Sequence, residues 1–321
     1  MVANAYYLQE GESVDYTPVI AMVAGEVVQI SDGRAAFAPT AIAAGVKGAV
    51  QVCGLVTMPK TTSMALLDGG KAYWDYSASK VHFRKVNDRD FYLGRVVGDC
   101  TEASTSCVVA LNVAVPYDVD VHGDAFLSVA TGTKVIGVFG FTKIHGGAII
   151  LELGATSEAQ CIDLLSVDKF AVGANPIAEF IFRVPTNGTG STVDFSLGLA
   201  SATSATDADA IAEHCLIHID GGSTAIMAQS KDGSTTVAAA DTTKVISAGT
   251  AVANRVEVWM DGRNLADIQI YVDGVLVLAS TVFNLGAATG PLGIIAHLEK
   301  TTGTETGIFA LDAMRCRLMK Q

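Results

Sequence analysis

Chemistry needs side chains of the right type brought to one place, and this 321-residue chain offers few such groupings. Asp207 and Asp209 alternate, while Glu257 and Asp261 stand four apart around Trp259. Two carboxylates facing one cleft could hydrolyse a glycosidic bond. Residues 201–209, however, are rich in Ser, Thr and Ala and read as loop, and the Glu257 pattern ends in an Asp-Gly turn. Asp207, Asp209 and Asp220 could instead give oxygens to Ca²⁺, which takes six or more. The same carboxylates cap turns by accepting backbone N–H groups, and that is the expectation. His214 and His218 fall in a segment that alternates as a strand, where four residues span ~13 Å, too far for one metal. The six cysteines, at 53, 100, 107, 161, 215 and 316, form no C-x-x-C pair and mostly sit inside apolar alternation. They read as buried reduced thiols. Tyr73, Trp74 and Trp259 could make a sugar platform, but inside strand patterns they read as core. No G-x-S-x-G elbow, phosphate loop or dinucleotide fingerprint occurs. The expectation is a chain that is not an enzyme, with no catalytic residue, cofactor or metal ligand.

Charge narrows the partners. The formal net charge is −12. Residues 1–113 carry 9 Lys/Arg against 11 Asp/Glu, and residues 114–321 carry 12 against 22. An acidic second half argues against nucleic acid, since phosphate contacts need clustered Lys and Arg. The one basic grouping, Lys80, Arg84, Lys85 and Arg89, is interrupted by Asp88 and Asp90 and reads as a solvated or interface edge. Half the residues are apolar and only 17% are charged. No stretch reaches the roughly 18 to 20 apolar residues of a membrane helix, so no membrane partner is expected. The opening residues lack a basic start and an apolar core, which points to a protein made and used in a cytoplasm.

The elements that would position these residues are strands. Short β-branched segments alternate with Gly, Asp, Asn, Ser and Thr. Asp-Gly recurs at 32–33, 68–69, 220–221, 232–233, 261–262 and 273–274, and such dipeptides between alternating segments signal type I′ hairpins. In the first region strands are expected at 26–31, 34–37, 50–57, 71–76, 81–84, 92–97 and 106–112. In the second they fall at 135–141, 148–153, 162–166, 177–184, 192–200, 214–220, 225–230, 255–260, 268–272, 275–279, 292–298 and 308–318. Pro116 and the acids Asp118, Asp120 and Asp124 mark 114–124 as a linker. No repeat of solenoid period is found. The fold class is all-β: a small β-barrel-like domain over 1–113 and a jelly-roll β-sandwich over 125–321.

Two resemblances follow from particular residues. Gly25–Val28, Ala43-Ala44-Gly45, the segment from Gly54 to Lys60, Gly70-Lys71-Ala72-Tyr73-Trp74-Asp75 and Leu93-Gly94-Arg95-Val96 together resemble a small β domain of prophage proteins that decorate or cement capsids. Arg255-Val256-Glu257-Val258-Trp259 with Ile270-Tyr271-Val272-Asp273-Gly274-Val275 resembles the penultimate hairpin of concanavalin-like lectin and laminin-G sandwiches. The Glu-x-Asp-x-x-Glu pattern of that fold's glucanases is absent. The resemblances imply a structural virion protein on the capsid exterior, assembled in the host cytoplasm. It would bridge subunits of the major capsid protein and pair with itself as a homotrimer. Tyr6, Tyr7 and Leu8 would form an interface arm. The alternative is a carbohydrate-binding module whose partner is a surface glycan, and fold alone does not choose.

Overall fold

The computed structural model describes residues 12–132, 140–143, 147–188, 190 and 192–319. Tyr6, Tyr7 and Leu8, and most of the strand expected at 135–141, lie outside the described residues. The chain divides into two compact units, Met1–Pro116 and Tyr117–Gln321. No helix among the described residues is long and apolar enough to cross a membrane.

The first unit begins with β1 (Ser13–Tyr16), β2 (Val27–Gln29), β3 (Ala35–Phe37) and β4 (Gly48–Gln51), which form one antiparallel sheet in the order β1-β4-β3-β2. A second sheet holds β5 (Leu55–Pro59), β6 (Lys71–Asp75), β7 (Lys80–His82), β8 (Phe91–Val97) and β9 (Ser106–Leu111), in the order β5-β9-β8-β6-β7. The single strand expected at 50–57 is therefore two, parted at Gly54, whose φ of +101° turns the chain from one sheet to the other. Alternation identifies strands but does not say which sheet each joins. Met22, Ile30, Ala36, Ile42 and Val50 fill the core beside the first sheet.

Two devices hold this unit. Asn112, at φ +57°, accepts the Ala35 N–H at 2.9 Å and donates to the carbonyls of Ala35 (2.9 Å) and Val52 (2.6 Å). It thereby clips the end of β9 to the other sheet. The second device is a doubled loop. Met22 and Ile42 exchange both backbone hydrogen bonds (2.8 and 3.0 Å). Around them Gly25 N–H donates to Ala38 and Gly45 N–H to Pro18 (2.7 and 2.8 Å). Both glycines have positive φ. Residues 18–25 and 38–45 are thus two local copies of one turn, too short a repeat to make a solenoid.

The second unit is a sandwich of two antiparallel sheets. Its strands are β10 (Val119–Asp120), β11 (Phe126–Thr131), β12 (Gly140–Lys143), β13 (Ile149–Glu152), β14 (Gln160–Ser166), β15 (Pro176–Thr186), β16 (Val193–Ala200) and β17 (Glu213–Asp220). There follow β18 (Ala225–Asp232), β19 (Thr236–Val245), β20 (Val256–Asp261), β21 (Gln269–Val272), β22 (Val275–Val277), β23 (Gly293–Lys300) and β24 (Ile308–Leu318). One sheet runs β12-β13-β24-β15-β20-β21-β22, with β10 also on β24; the other runs β11-β14-β23-β16-β17-β18-β19. Their inner faces share one core, in which Phe195 of one sheet stacks on Phe309 of the other with ring centres 3.6 Å apart.

Three expectations need correction. Much of the 114–124 linker belongs to the sandwich: Val119 and Asp120 pair with Cys316 and Arg315, and Asp118 N–H donates to the Cys316 carbonyl at 2.9 Å. Its acids read as linker because they cap turns; Asp124 accepts the Asp120 N–H at 2.7 Å. Strands β1, β11 and β19 were not anticipated. All three are sheet edges with at most one buried residue, and so carry little of the burial pattern that betrays an interior strand. Of the six Asp-Gly pairs, only Asp273-Gly274 has positive φ at both residues (+49° and +77°). Asp32, Asp232 and Asp261 instead cap their turns, as where Asp232 accepts the N–H groups of Ser234 and Thr235.

The outward face of the β24 sheet is buried and charged. Glu179 accepts from Tyr117 Oη (2.7 Å), Arg315 Nε (3.0 Å) and Arg317 Nη1. A bulge between Leu311 and Ala313 presents Asp312 to Arg183 (2.7 Å) and Arg255 (2.8 Å). Burial opposes the Glu179 charge, but Arg317 and Arg315 outweigh it and hold the carboxyl at about 2, below its ordinary 4.5. A depressed carboxyl contributes stability that is present above 4.5 and lost as pH falls toward 2. Glu179→Gln removes the one negative charge that two buried guanidinium groups share in this cluster, so chemical denaturation at neutral pH is expected to show a loss of about 3–5 kcal/mol. The variant should also lose less of its remaining stability than the wild type between those two pH values.

Candidate functional site

The densest set of chemically capable side chains lies on the outward face of the β23 sheet. Period-two alternation puts it there: Ile294, Ala296 and Leu298 point into the sandwich, so His297 and Glu299 point out. Register then lines up partners across the strands. One row runs Asp163, His297, Ser196, His218 and Met227; the next runs Cys161, Glu299, Asp194 and Asp220.

At the centre, the His297 ring is held from both sides. Nδ1 lies 2.9 Å from Asp163 Oδ1, and Nε2 lies 2.9 Å from Glu299 Oε2. Cys161 Sγ is 3.7 Å from Nδ1, 3.5 Å from Asp163 Oδ2 and 3.1 Å from the Ser204 carbonyl. None of these four residues is more than 5% exposed. Burial opposes a charged His297 ring, but its bonds to Asp163, Cys161 and Glu299 prevail and raise it well above the ordinary imidazole range. Burial raises Glu299 and the Cys161 thiol, with His297 pulling each partly back. Asp194 goes further: burial, then the nearby charges of Asp220, Glu299 and Asp209, push it to about 8, and its Oδ1 has no hydrogen-bond partner among the described residues.

A loop covers this face. Residues 201–212 carry a 3₁₀ turn, Ala208–Ala210, begun by Asp207 accepting the Asp209 N–H at 2.7 Å. Ala208 and Ile211 pack on Leu165, Ala200, Leu216 and Ile295, closing a small apolar cluster beside the charged rows. Asp209 accepts the Gln229 amide, and Ser204 brings its carbonyl to Cys161.

The residues singled out from sequence are mostly scattered into structural roles. Asp207 caps the 3₁₀ turn, while Asp209 ties the loop to the Gln229 side chain. Asp220 lies across from Asp194, and His218 Nε2 is 3.7 Å from Asp220 Oδ1. His214 donates to the Ile211 carbonyl at 2.8 Å. Glu257 accepts from Trp259 Nε1 at 2.8 Å, and Asp261 pairs with Arg263, both on the other sheet. Trp74 and Trp259 are buried, and Tyr73 meets Tyr92 edge-on. In the basic grouping Arg89 stacks over Tyr76, and Asp90 accepts three backbone N–H groups. Cys161, Asp163, His297 and Glu299 were missed, because 134 residues separate Asp163 from His297. The one usable signal was a His-x-Glu inside the otherwise apolar run from Gly293.

The first unit offers a surface of a different kind. Its doubled turns leave Val19 92%, Ile20 80%, Val23 67% and Val46 54% exposed, and the Gly45–Pro18 bond brings the Val46 turn beside Val19.

Residues 8–111 match a family described as phage cement protein. No curated protein matches the chain in sequence. Solved structures that match include an endo-1,3-β-glucanase from Streptomyces sioyaensis, at 11% identity over 63% of this chain and 95% of that one, TM-score 0.42. The Emp47p carbohydrate recognition domain matches at 12% identity over 60% and 88%, TM-score 0.41. LamAcat from Zobellia galactanivorans matches at 11% over 54% and 78%, TM-score 0.38. Likeness of that degree says nothing of what this chain binds.

Asp194 yields a test of the charged face. Its folded carboxyl keeps a proton up to about 8, while the unfolded one ionises near 3.8, so the folded state binds more protons between those values and stability falls as pH rises. Asp194→Asn is expected to raise the melting temperature at the alkaline end of that window and to flatten its pH dependence. Glu299 leaves a residual slope of the same sign. An unchanged profile would show that Asp194 is ionised in the fold.

Proposed function

We propose that the chain is a phage cement protein that binds the major capsid protein through its first unit and stiffens the shell without catalysing a reaction. The observation that carries this reading is the family match over residues 8–111, which falls within the first unit. The exposed valines and isoleucine of the doubled turns support it. Cementing works by burying apolar surface across joints between coat subunits, and each fully buried Val or Ile contributes about 1.5–3 kcal/mol. A near-neutral first unit meets a coat surface with little charge to desolvate, and the acidic second unit, net −10 over 114–321, keeps decorated particles apart in solution. Tyr6, Tyr7 and Leu8 extend the contact as an arm, and a homotrimer matches the local threefold positions of an icosahedral shell. On the rival reading, a surface glycan would need an aromatic platform, yet Trp74 and Trp259 are each only 6% exposed.

Co-sedimentation with undecorated capsid shells tests the docking surface. The double variant Ile20→Asp, Val46→Asp replaces exposed residues and should fold normally while losing at least about tenfold in affinity. Deleting residues 1–12 should weaken binding as well. Undiminished binding by the double variant would exclude the doubled turns, and by the deletion would exclude the arm. Sedimentation of the full chain, free and on shells, reads the oligomer; a monomer in both would remove the trimer.

A further inference from the structure

The centre of the charged face has a composition that neither capsid binding nor packing explains. A thiol, an imidazole and a carboxylate, each fully or almost fully buried, offer ligand atoms that all lie within 4.8 Å of one another. We propose that Cys161, Asp163 and His297 form a binding site for a divalent transition-metal ion of the zinc class. The site is distinct from the capsid-docking surface and independent of that reading.

The distances suit such an ion. Ligand bonds of ~2.0–2.3 Å at tetrahedral angles place ligand atoms about 3.3–3.6 Å from each other. Here Nδ1 lies 2.9 Å from Asp163 Oδ1, Sγ lies 3.5 Å from the other carboxylate oxygen, Oδ2, and Sγ lies 3.7 Å from Nδ1, so the Asp163–His297 pair opens by about half an ångström to admit the ion. Sγ is almost equally far from Nε2 (3.9 Å), so binding requires the Cys161 side chain to turn toward Nδ1. The Ser204 carbonyl, 3.1 Å from Sγ, supplies a fourth ligand, an oxygen, from the covering loop.

Glu299 completes the arrangement. Metal-bound histidines nearly always donate their other ring N–H to a carboxylate, which fixes the tautomer and strengthens the ligand. His297 Nε2 and Glu299 Oε2, 2.9 Å apart, have that geometry, leaving Nδ1 for the ion. Sulfur and nitrogen ligands select against Ca²⁺ and Mg²⁺, which require sets of oxygens.

The test is a Co²⁺ titration of the full-length protein after treatment with a chelator. One equivalent should produce a thiolate-to-cobalt charge-transfer band in the near ultraviolet, together with the visible bands of a tetrahedral site, and Zn²⁺ should abolish both. Cys161→Ser should lose the charge-transfer band. Glu299→Gln should keep it while binding about 10–100-fold more weakly. Should Cys161→Ser fail to fold, X-ray absorption of the zinc-loaded wild type decides. One sulfur with nitrogen and oxygen neighbours supports the site; an all-oxygen shell, or two or more sulfurs, overturns it. No band in the wild type, or an undiminished band in folded Cys161→Ser, overturns it as well.

Discussion

The arrangement of the second unit follows from burial between its two sheets. Phe182, Phe195 and Phe309 meet there with the aliphatic residues of both inner faces, and each strand that commits alternate residues to this core commits the others to the opposite side. In most sandwiches that opposite side meets water and needs no further account. Here it is largely buried on both sheets, so every charge placed on it requires a partner. Glu179 finds two arginines and a tyrosine, Asp312 two arginines, and His297 two carboxylates. Asp194 finds none for its Oδ1 among the described residues, and its burial beside other carboxylates favours the protonated form. Without the aromatic core these groups would disperse into solvent and lose their perturbed character.

The two units contrast in how they treat their apolar residues. The sandwich conceals nearly all of its own and covers even an outward face with the Ala208–Ile211 loop. The first unit divides a smaller number of residues between two sheets and leaves branched aliphatic side chains in open turns. An exposed valine alone means little, but several on adjoining copies of one turn form a patch, and patches mark contact surfaces.

What could be read from the chain follows the same physics. Interior strands were legible because burial on one face writes a period of two into the residues, as in β24, whose bounds match the expectation of 308–318. Edge strands β1, β11 and β19 were not, since little of them is buried. The doubled turn escaped notice because Ala21, Ala24 and Gly25 reappear at 41, 44 and 45 without a longer pattern around them. The His297 cluster was illegible for a topological reason. Cys161 and Asp163 lie next to His297 and Glu299 only because β14 pairs with β23, and no local rule discloses which strands become neighbours. Carboxylates close in sequence drew attention, while those close in space were far apart along the chain.

The position of β24 has a consequence for how the protein is made. This strand lies inside its sheet, bonded to β13 on one side and to β15 on the other, with β10 also on it. A ribosome delivers β10, β13 and β15 long before β24, and until then these strands lack the neighbour that joins them. The nascent sandwich must therefore wait, with its aromatic residues uncovered, for a stretch nearly two hundred residues downstream of β10. Non-local pairing of this kind folds slowly and leaves the intermediate open to association with other chains. Translation sets the earliest moment of folding, and a message broken before the codons for residues 308–318 yields a chain that cannot close its sheet.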